Sequence, residues 1–133
     1  MESIKDKIKT ELIKYITADM IILFGSSIKN QMNDDSDIDI AFLCRNETNE
    51  YDLFMIAQKL ADVLGRDVDL VDLRKASTVF AVQIIANGIV VYDNDRYTNA
   101  VFKMRTFKEY VLLNEERQCI LDKIKERGSI YGR

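Results

Sequence analysis

The sequence predicts a protein of mixed α/β (α+β) fold class. A small mixed β-sheet is expected to carry helices packed on one side. Short apolar runs that suit buried strands alternate with longer segments whose apolar residues recur every three or four positions, as in amphipathic helices. Gly25, Gly65 and Gly88 stand where these segments meet, and proline is absent. The length of 133 residues, with 47% apolar and 31% charged residues, fits one folded domain over residues 1–133.

The first half of the chain is predicted to form two helices and two strands. A helix over 3–17, with Ser3 as its N-cap, follows from apolar residues that recur every four positions. Apolar runs predict strands at 20–24 and 38–43. A polar loop that offers several N-cap residues then leads into a predicted helix over 51–64.

The second half begins with a similar alternation of strand and helix. A strand is predicted at 68–73, followed by a helix that Ser77 caps and that ends at Gly88. A fourth short strand is predicted at 89–92. This order gives α-β-turn-β-α-β-α-β-α, with carboxylates at the entrances of central strands.

The segment from about 95 to 127 contains neither glycine nor proline and is predicted to be long and helical. A helix of more than 25 residues is unusual in a small domain, and a break near Asn114 is left open. Its apolar residues cover more than one helical face, which suggests a surface for a partner. A core or homodimer role is the alternative. These residues are Tyr97, Phe102, Met104, Phe107, Tyr110, Leu112, Leu113 and Ile120.

Several classes of function are disfavoured by composition. Histidine is absent, which removes histidine-based triads and histidine metal sites. A formal net charge of -3 offers no basic excess for nucleic-acid backbones, so direct nucleic-acid binding is not expected. No apolar run approaches the ~20 residues of a membrane span, and the N-terminus lacks a signal-peptide core. Cys44 and Cys119 show no metal or redox spacing. A cytoplasmic location is expected.

The motif that carries the chemistry is Gly25-Ser26, a ten-residue spacer and Asp37-Ile38-Asp39. Residues two apart on a strand share a face, so Asp37 and Asp39 can reach one polar site. Convergent carboxylate oxygens suit Mg²⁺. The Gly-Ser turn can offer backbone N–H groups and a hydroxyl to a phosphate. Metal and phosphate together indicate nucleotide chemistry.

A third carboxylate is expected on a neighbouring strand, and Asp69 is the best candidate. It lies between Val68 and Leu70 in an apolar run, where an unpaired charge would be costly. Asp72 competes for the role, but alternation places it on the opposite face of the strand.

The Gly25-Ser26 to Asp37-x-Asp39 pattern after two strands resembles the nucleotidyltransferase superfamily related to DNA polymerase β, and more narrowly the minimal nucleotidyltransferase (MNT) domains. The resemblance covers about residues 4–125 and includes the segments at 68–73 and 88–92. It implies the polymerase β-like fold. It also implies that Asp37, Asp39 and Asp69 bind two Mg²⁺ ions as metal ligands and catalytic residues, and that Gly25 and Ser26 bind the triphosphate of ATP.

Two positions depart from the MNT pattern, in which Gly-Ser is commonly followed by a short residue pair and then Arg-Gly. Lys29 stands where the arginine would be, and Asn30 replaces the glycine. Lysine keeps the positive charge for a phosphate but loses the planar fork that allows bidentate contact. Lys29 is therefore a predicted phosphate contact of altered geometry.

The architecture also resembles the antitoxin half of HEPN–MNT toxin–antitoxin pairs. The resemblance implies a protein adenylyltransferase that moves AMP from ATP to a tyrosine of a cognate HEPN ribonuclease toxin. The expected partner is thus a HEPN-type toxin in a hetero-oligomer. Two alternatives remain open: a non-catalytic antitoxin that acts by stoichiometric binding, and a nucleotidyltransferase that acts on a small hydroxylated molecule such as an aminoglycoside.

Overall fold

The computed structural model describes residues 4–25 and 37–132, with side chains described as far as residue 126. The described part contains four helices and four strands, in the order that the sequence predicts. They are α1 (Ile4–Leu12), β1 (Ala18–Phe24), β2 (Ile38–Cys44), α2 (Glu50–Leu64), β3 (Val68–Asp72), α3 (Thr78–Asn87), β4 (Ile89–Asp93) and α4 (Arg96–Gly132).

The four strands form one mixed sheet in the order β3-β2-β1-β4. Strand β1 pairs antiparallel with both β2 and β4, whereas β2 and β3 are parallel. Parallel neighbours need a crossover connection, and α2 provides it. The prediction of a small mixed sheet is confirmed, and β3 and β4 are its edge strands.

Helices cover both faces of the sheet, so the prediction that they pack on one side is wrong. Ile21 and Leu23 of β1 join a core under α1 and α2. Met20 and Ile22, which alternate with them, join a second core under α3 and α4. The physical reason lies in β1 and β2 themselves, since consecutive apolar residues are the pattern of a strand buried on both faces.

Capping hydrogen bonds and backbone conformation confirm most of the predicted helix ends. The Asn49 side chain accepts from the backbone N–H of Asp52 at 2.7 Å, and that of Ser77 accepts from the N–H of Phe80 at 3.2 Å. Gly65 closes α2 with a φ of 71°, in the left-handed region that glycine tolerates. Ser3 lies outside the described residues. Helix α1 ends at Leu12, earlier than predicted, although Ile16 is still buried.

Helix α4 runs unbroken for 37 residues, so the chain does not break near Asn114. At 1.5 Å per residue it is ~55 Å long. Its first turns pack on the sheet through Phe102, whereas residues 111–126 are exposed except for the half-buried Leu113. In the described part of the chain, no helix is both long and apolar enough to cross a membrane.

A buried amide fixes the start of α4. Asn99 is 1% exposed, and its Nδ2 donates to the carbonyl oxygen of Asp19 at 2.8 Å and to Oδ1 of Asp93 at 2.6 Å. Close by, the Arg45 guanidinium binds the carboxylates of Asp19 (3.0 Å) and Asp95 (2.7 Å). These contacts join α4 to β1, β2 and β4 at one end of the sheet.

Asn99→Ala should lower the free energy of unfolding by about 1–3 kcal/mol, because two acceptors lose their buried donor. Urea unfolding followed by circular dichroism measures the change. Asn114→Ala, at an exposed position of the same helix, is the control and should stay within about 0.5 kcal/mol of wild type. Equal stability of the two variants would contradict this role for Asn99.

Candidate active site

The end of β1 and the starts of β2 and β3 meet at the other end of the sheet. Phe24 is paired in register with Asp39, and Asp39 is paired with Asp69. The backbone N–H of Ile38 donates to the carbonyl oxygen of Asp67 at 2.9 Å, which continues the parallel pairing at the strand entrances. Phe24, Asp39 and Asp69 therefore lie side by side on three adjacent strands, and Gly25 directly follows Phe24.

Both strand carboxylates point to the same side of the sheet. Ile38 and Ile40 point into the core under α1 and α2, so Asp39 between them faces the α3 and α4 side. Val68 and Leu70 point into the same core, so Asp69 between them also faces the α3 and α4 side. The two side chains are hydrogen bonded to each other, and Asp69 is the more exposed.

The pKa of Asp39 reflects its burial and the negative charges around it. Burial raises the pKa of its carboxyl above the ordinary 3.8, and the nearby charges of Asp69 and Asp37 raise it further. A hydrogen bond that the protonated Asp39 carboxyl donates to Asp69 acts in the same direction. A bound cation would relieve this repulsion.

The donor set fits Mg²⁺ delivered with a nucleotide. Within residues 4–25 and 37–132, no group of three or more acidic or cysteine side chains forms a ready metal-binding cluster. Mg²⁺ commonly binds through one or two carboxylates, substrate phosphates and water, so it does not need such a cage. The all-oxygen set of Asp37, Asp39 and Asp69 matches that preference.

Gly25 packs directly on the Asp39 carboxylate. Its φ is +68°, and a Cβ at this position would overlap Oδ2 of Asp39. The preceding residue, Phe24, is held by an edge-to-face contact with Phe80 of α3, with ring centroids 5.7 Å apart. The turn after β1 thus needs glycine for both its backbone conformation and its close approach to the carboxylate.

The remaining predicted site residues, Ser26 and Lys29, lie outside the described residues, so their predicted phosphate contacts stay predictions. Asp72, the competitor of Asp69, is buried and faces away from the site. It accepts hydrogen bonds from Oγ1 of Thr48 at 2.8 Å and from the backbone N–H of Arg74 at 3.0 Å. These bonds hold Asp72 within the fold. The prediction that Asp69 and Asp72 face opposite sides of the strand is confirmed.

Sequence reasoning did not find a cavity of about 470 Å³ next to the carboxylates. Helix α2 and the start of β3 form its walls, and Asp37 and Asp69 lie at its rim. Glu50, Phe54 and Asp67 also line it. No sequence signal marks these residues, because only the packing of α2 against β3 brings them together.

Comparison with known proteins agrees with this geometry. Residues 6–97 match the family described as "Polymerase beta, Nucleotidyltransferase". The chain belongs to this family of nucleotidyltransferases, with the polymerase β-like fold that the Gly-Ser and Asp-x-Asp residues predict.

Individual proteins similar to this chain belong to a narrower class than the family as a whole. The chain is 39% identical over 105 residues to protein adenylyltransferase MntA of Shewanella oneidensis, which covers 79% of this chain and 75% of the relative. A chain in the crystal structure of a toxin–antitoxin with AMP-PNP superposes with a TM-score of 0.80 and 36% identity, over 92% of this chain and 99% of that one.

A second solved structure is the tri-AMPylated Shewanella oneidensis HEPN toxin in complex with MNT antitoxin. It matches with a TM-score of 0.74 and 36% identity, over 91% of this chain and 95% of that one. The chain is thus similar, over nearly its whole length, to proteins of HEPN–MNT complexes.

Asp39→Asn should raise the melting temperature of the metal-free protein at neutral pH, because the ionised Asp39 is half-buried beside two other carboxylates. The pKa of Asp39 is higher in the folded than in the unfolded chain, so ionised Asp39 disfavours folding above the folded-state pKa. The advantage of the variant should shrink as the pH falls through that value towards 3.8. Thermal unfolding in chelator from pH 4 to pH 8 tests this, and an advantage independent of pH would contradict it.

Gly25→Ala should reduce nucleotidyltransferase activity by at least ~100-fold, the typical effect of displacing a catalytic group by about 1 Å. Gly65→Ala is a matched control, since Gly65 has nearly the same φ of +71° and a Cβ there would meet no atom within 4 Å. Both variants should lose about 1–2 kcal/mol of stability from left-handed backbone. Only Gly25→Ala should lose activity, and comparable activity in the two variants would refute the role of the close approach.

Proposed function

We propose that this chain is a protein adenylyltransferase antitoxin, which transfers AMP from ATP to a tyrosine of a cognate HEPN-type ribonuclease toxin and thereby neutralises it. The observation that carries the proposal is the pairing of Asp39 with Asp69 across β2 and β3, beside the turn at Gly25. Similarity to MntA and to toxin–antitoxin structures along nearly the whole chain supports the choice of a protein acceptor.

The proposed roles rest on position for the described residues and on the sequence motif for Ser26 and Lys29. Gly25, Ser26 and Lys29 bind the triphosphate after β1. Asp37, Asp39 and Asp69 hold two Mg²⁺ ions, which supply positive charge that offsets the charge of the transferring phosphoryl group. Burial raises the pKa of Asp39, and the charges of Asp69 and Asp37 raise it further; this crowding of carboxylates supports a role for cations at the site.

The proposed reaction is a single displacement at the α-phosphorus of ATP. The phenolic oxygen of the acceptor tyrosine forms a bond to that phosphorus, and the bond to the bridging oxygen of the β-phosphate breaks. Pyrophosphate leaves, and the carboxylate of Asp69 accepts the phenolic proton. Of the two paired carboxylates, Asp39 and Asp69, the latter is the more exposed. A phenol has a pKa of about 10, so such activation is needed at neutral pH.

The rest of the chain contributes partner binding in this proposal. Residues 1–133 act as one nucleotidyltransferase domain in the cytoplasm, where both partners are made. The outer half of α4 extends beyond the sheet and exposes apolar residues, which suits contact with the toxin. These residues are Val111, Leu112, Ile120, Leu121 and Ile124.

The test is the intact mass of the protein encoded beside this chain, after co-expression with wild type or with Asp37→Asn/Asp39→Asn. We expect a gain of whole AMP units on tyrosine with wild type and none with the double variant. Since each Asn keeps the shape of Asp but removes the metal-binding charge, the variant should still fold.

Two outcomes would contradict the proposal in different ways. No mass gain, with the toxin still silent and co-purifying, would favour a non-catalytic antitoxin that binds stoichiometrically. No gain and no complex would favour a small hydroxylated acceptor instead.

A further inference from the structure

A second cavity, here called the α3–α4 cleft, lies on the same face of the sheet as the paired carboxylates but at the opposite end of the strands. Its volume is about 620 Å³. Leu43 and Leu73 line it, and each follows a site carboxylate, Asp39 or Asp69, by four residues along the chain. At ~3.3 Å per residue of strand, the cleft is roughly 13 Å from those carboxylates. It is therefore separate from the candidate active site.

The inner surface of the cleft is apolar. Val101 and Phe102 of α4 line it together with Ala81 of α3. Phe102 and Ala81 also belong to the core under α3 and α4, so the floor of the cleft is continuous with that core. A concave site of this size, with an apolar floor and a few polar groups, is typical of a site for a small organic ligand.

Two arginines give the cleft a positive charge. Arg74, from the loop between β3 and α3, and Arg105, from α4, both line it. Among the described residues, neither guanidinium takes part in an ion pair. Arg74 donates to the carbonyl oxygen of Arg45 at 3.0 Å, and its other guanidinium N–H groups remain for a ligand. Glu109 is the one carboxylate of the described lining, so positive charge is in excess.

An exposed aromatic ring lies at the edge of the same cleft. Tyr97, in the first turn of α4, lines the cleft and is 80% exposed. It precedes Arg105 by eight residues, which is ~12 Å along a helix. A ligand that contacts both side chains must therefore carry a planar ring and an anionic group at separate ends.

We propose that the α3–α4 cleft binds a nucleoside monophosphate, with its phosphate at Arg74 and Arg105 and its base stacked on Tyr97. Guanidinium groups bind phosphate oxygens through paired N–H donors, and aromatic side chains stack on any base. The site is independent of the proposed function, because it uses none of the residues assigned to AMP transfer.

Titration of the ¹⁵N-labelled chain with AMP, followed by NMR in the presence of chelator, tests the cleft. Without Mg²⁺ the active-site carboxylates repel a phosphate, so binding there is suppressed. We expect a dissociation constant below about 1 mM, with shift changes centred on residues 73–81 and 97–106. Inorganic phosphate and adenosine each supply only one half of the ligand, so each should bind roughly tenfold more weakly than AMP.

Two variants with matched controls assign the contacts. Arg105→Ala should raise the dissociation constant for AMP about 10- to 100-fold, the effect of losing a hydrogen bond to a charged group. Arg117→Ala, at an exposed position of α4 outside the cleft, should match wild type. Tyr97→Ala should raise the constant roughly tenfold, whereas Tyr51→Ala, which removes a 71% exposed ring of α2, should not change it. All four positions are exposed, so the variants should fold.

Three results would overturn the proposal. The first is no binding of AMP below about 1 mM, or unchanged binding in both cleft variants. The second is a set of shift changes centred on residues 37–39 and 69, which would assign the nucleotide to the candidate active site. The third is equal affinity for inorganic phosphate and AMP, or loss of binding in Arg105→Ala alone, which would make the cleft a simple anion site.

Discussion

The parallel pairing of β2 with β3 is the contact on which the site depends. It places Asp69 in register with Asp39, although 30 residues separate them in sequence. The pairing concentrates negative charge, and burial together with the neighbouring charges of Asp69 and Asp37 raises the pKa of Asp39. Apolar side chains on both faces of the same strands stabilise the sheet enough to hold the carboxylates together. The fold therefore maintains an arrangement that the site residues alone would not favour.

Much of this was predictable because local signals agree with the fold. Asn49 and Ser77 lie before apolar periodic segments, and both cap helices as such residues do. Asp39 and Asp69 could be placed on one face from strand alternation, since their neighbours are apolar. Gly25 was predicted to turn the chain near a phosphate, and its backbone indeed adopts the left-handed conformation.

The features that sequence reasoning missed arise where separate helices and strands pack against each other. The consecutive apolar residues at 20–23 are compatible with a covered second face, but strand periodicity does not say which helices cover it. The cavity between α2 and β3 escaped notice because Phe54 and Asp67 belong to different segments and have no shared motif. The length of α4 was uncertain for a related reason, since its described side chains from residue 111 to residue 126 are exposed except for the half-buried Leu113.

The order of segments along the chain also has a consequence for synthesis. All residues of the β1–β2 pair have been synthesised once the chain reaches Cys44. The third carboxylate waits for the whole α2 crossover and for β3. A strand pair alone is only marginally stable, so the same α2 and β3 that complete the carboxylate set also provide the packing that stabilises the sheet.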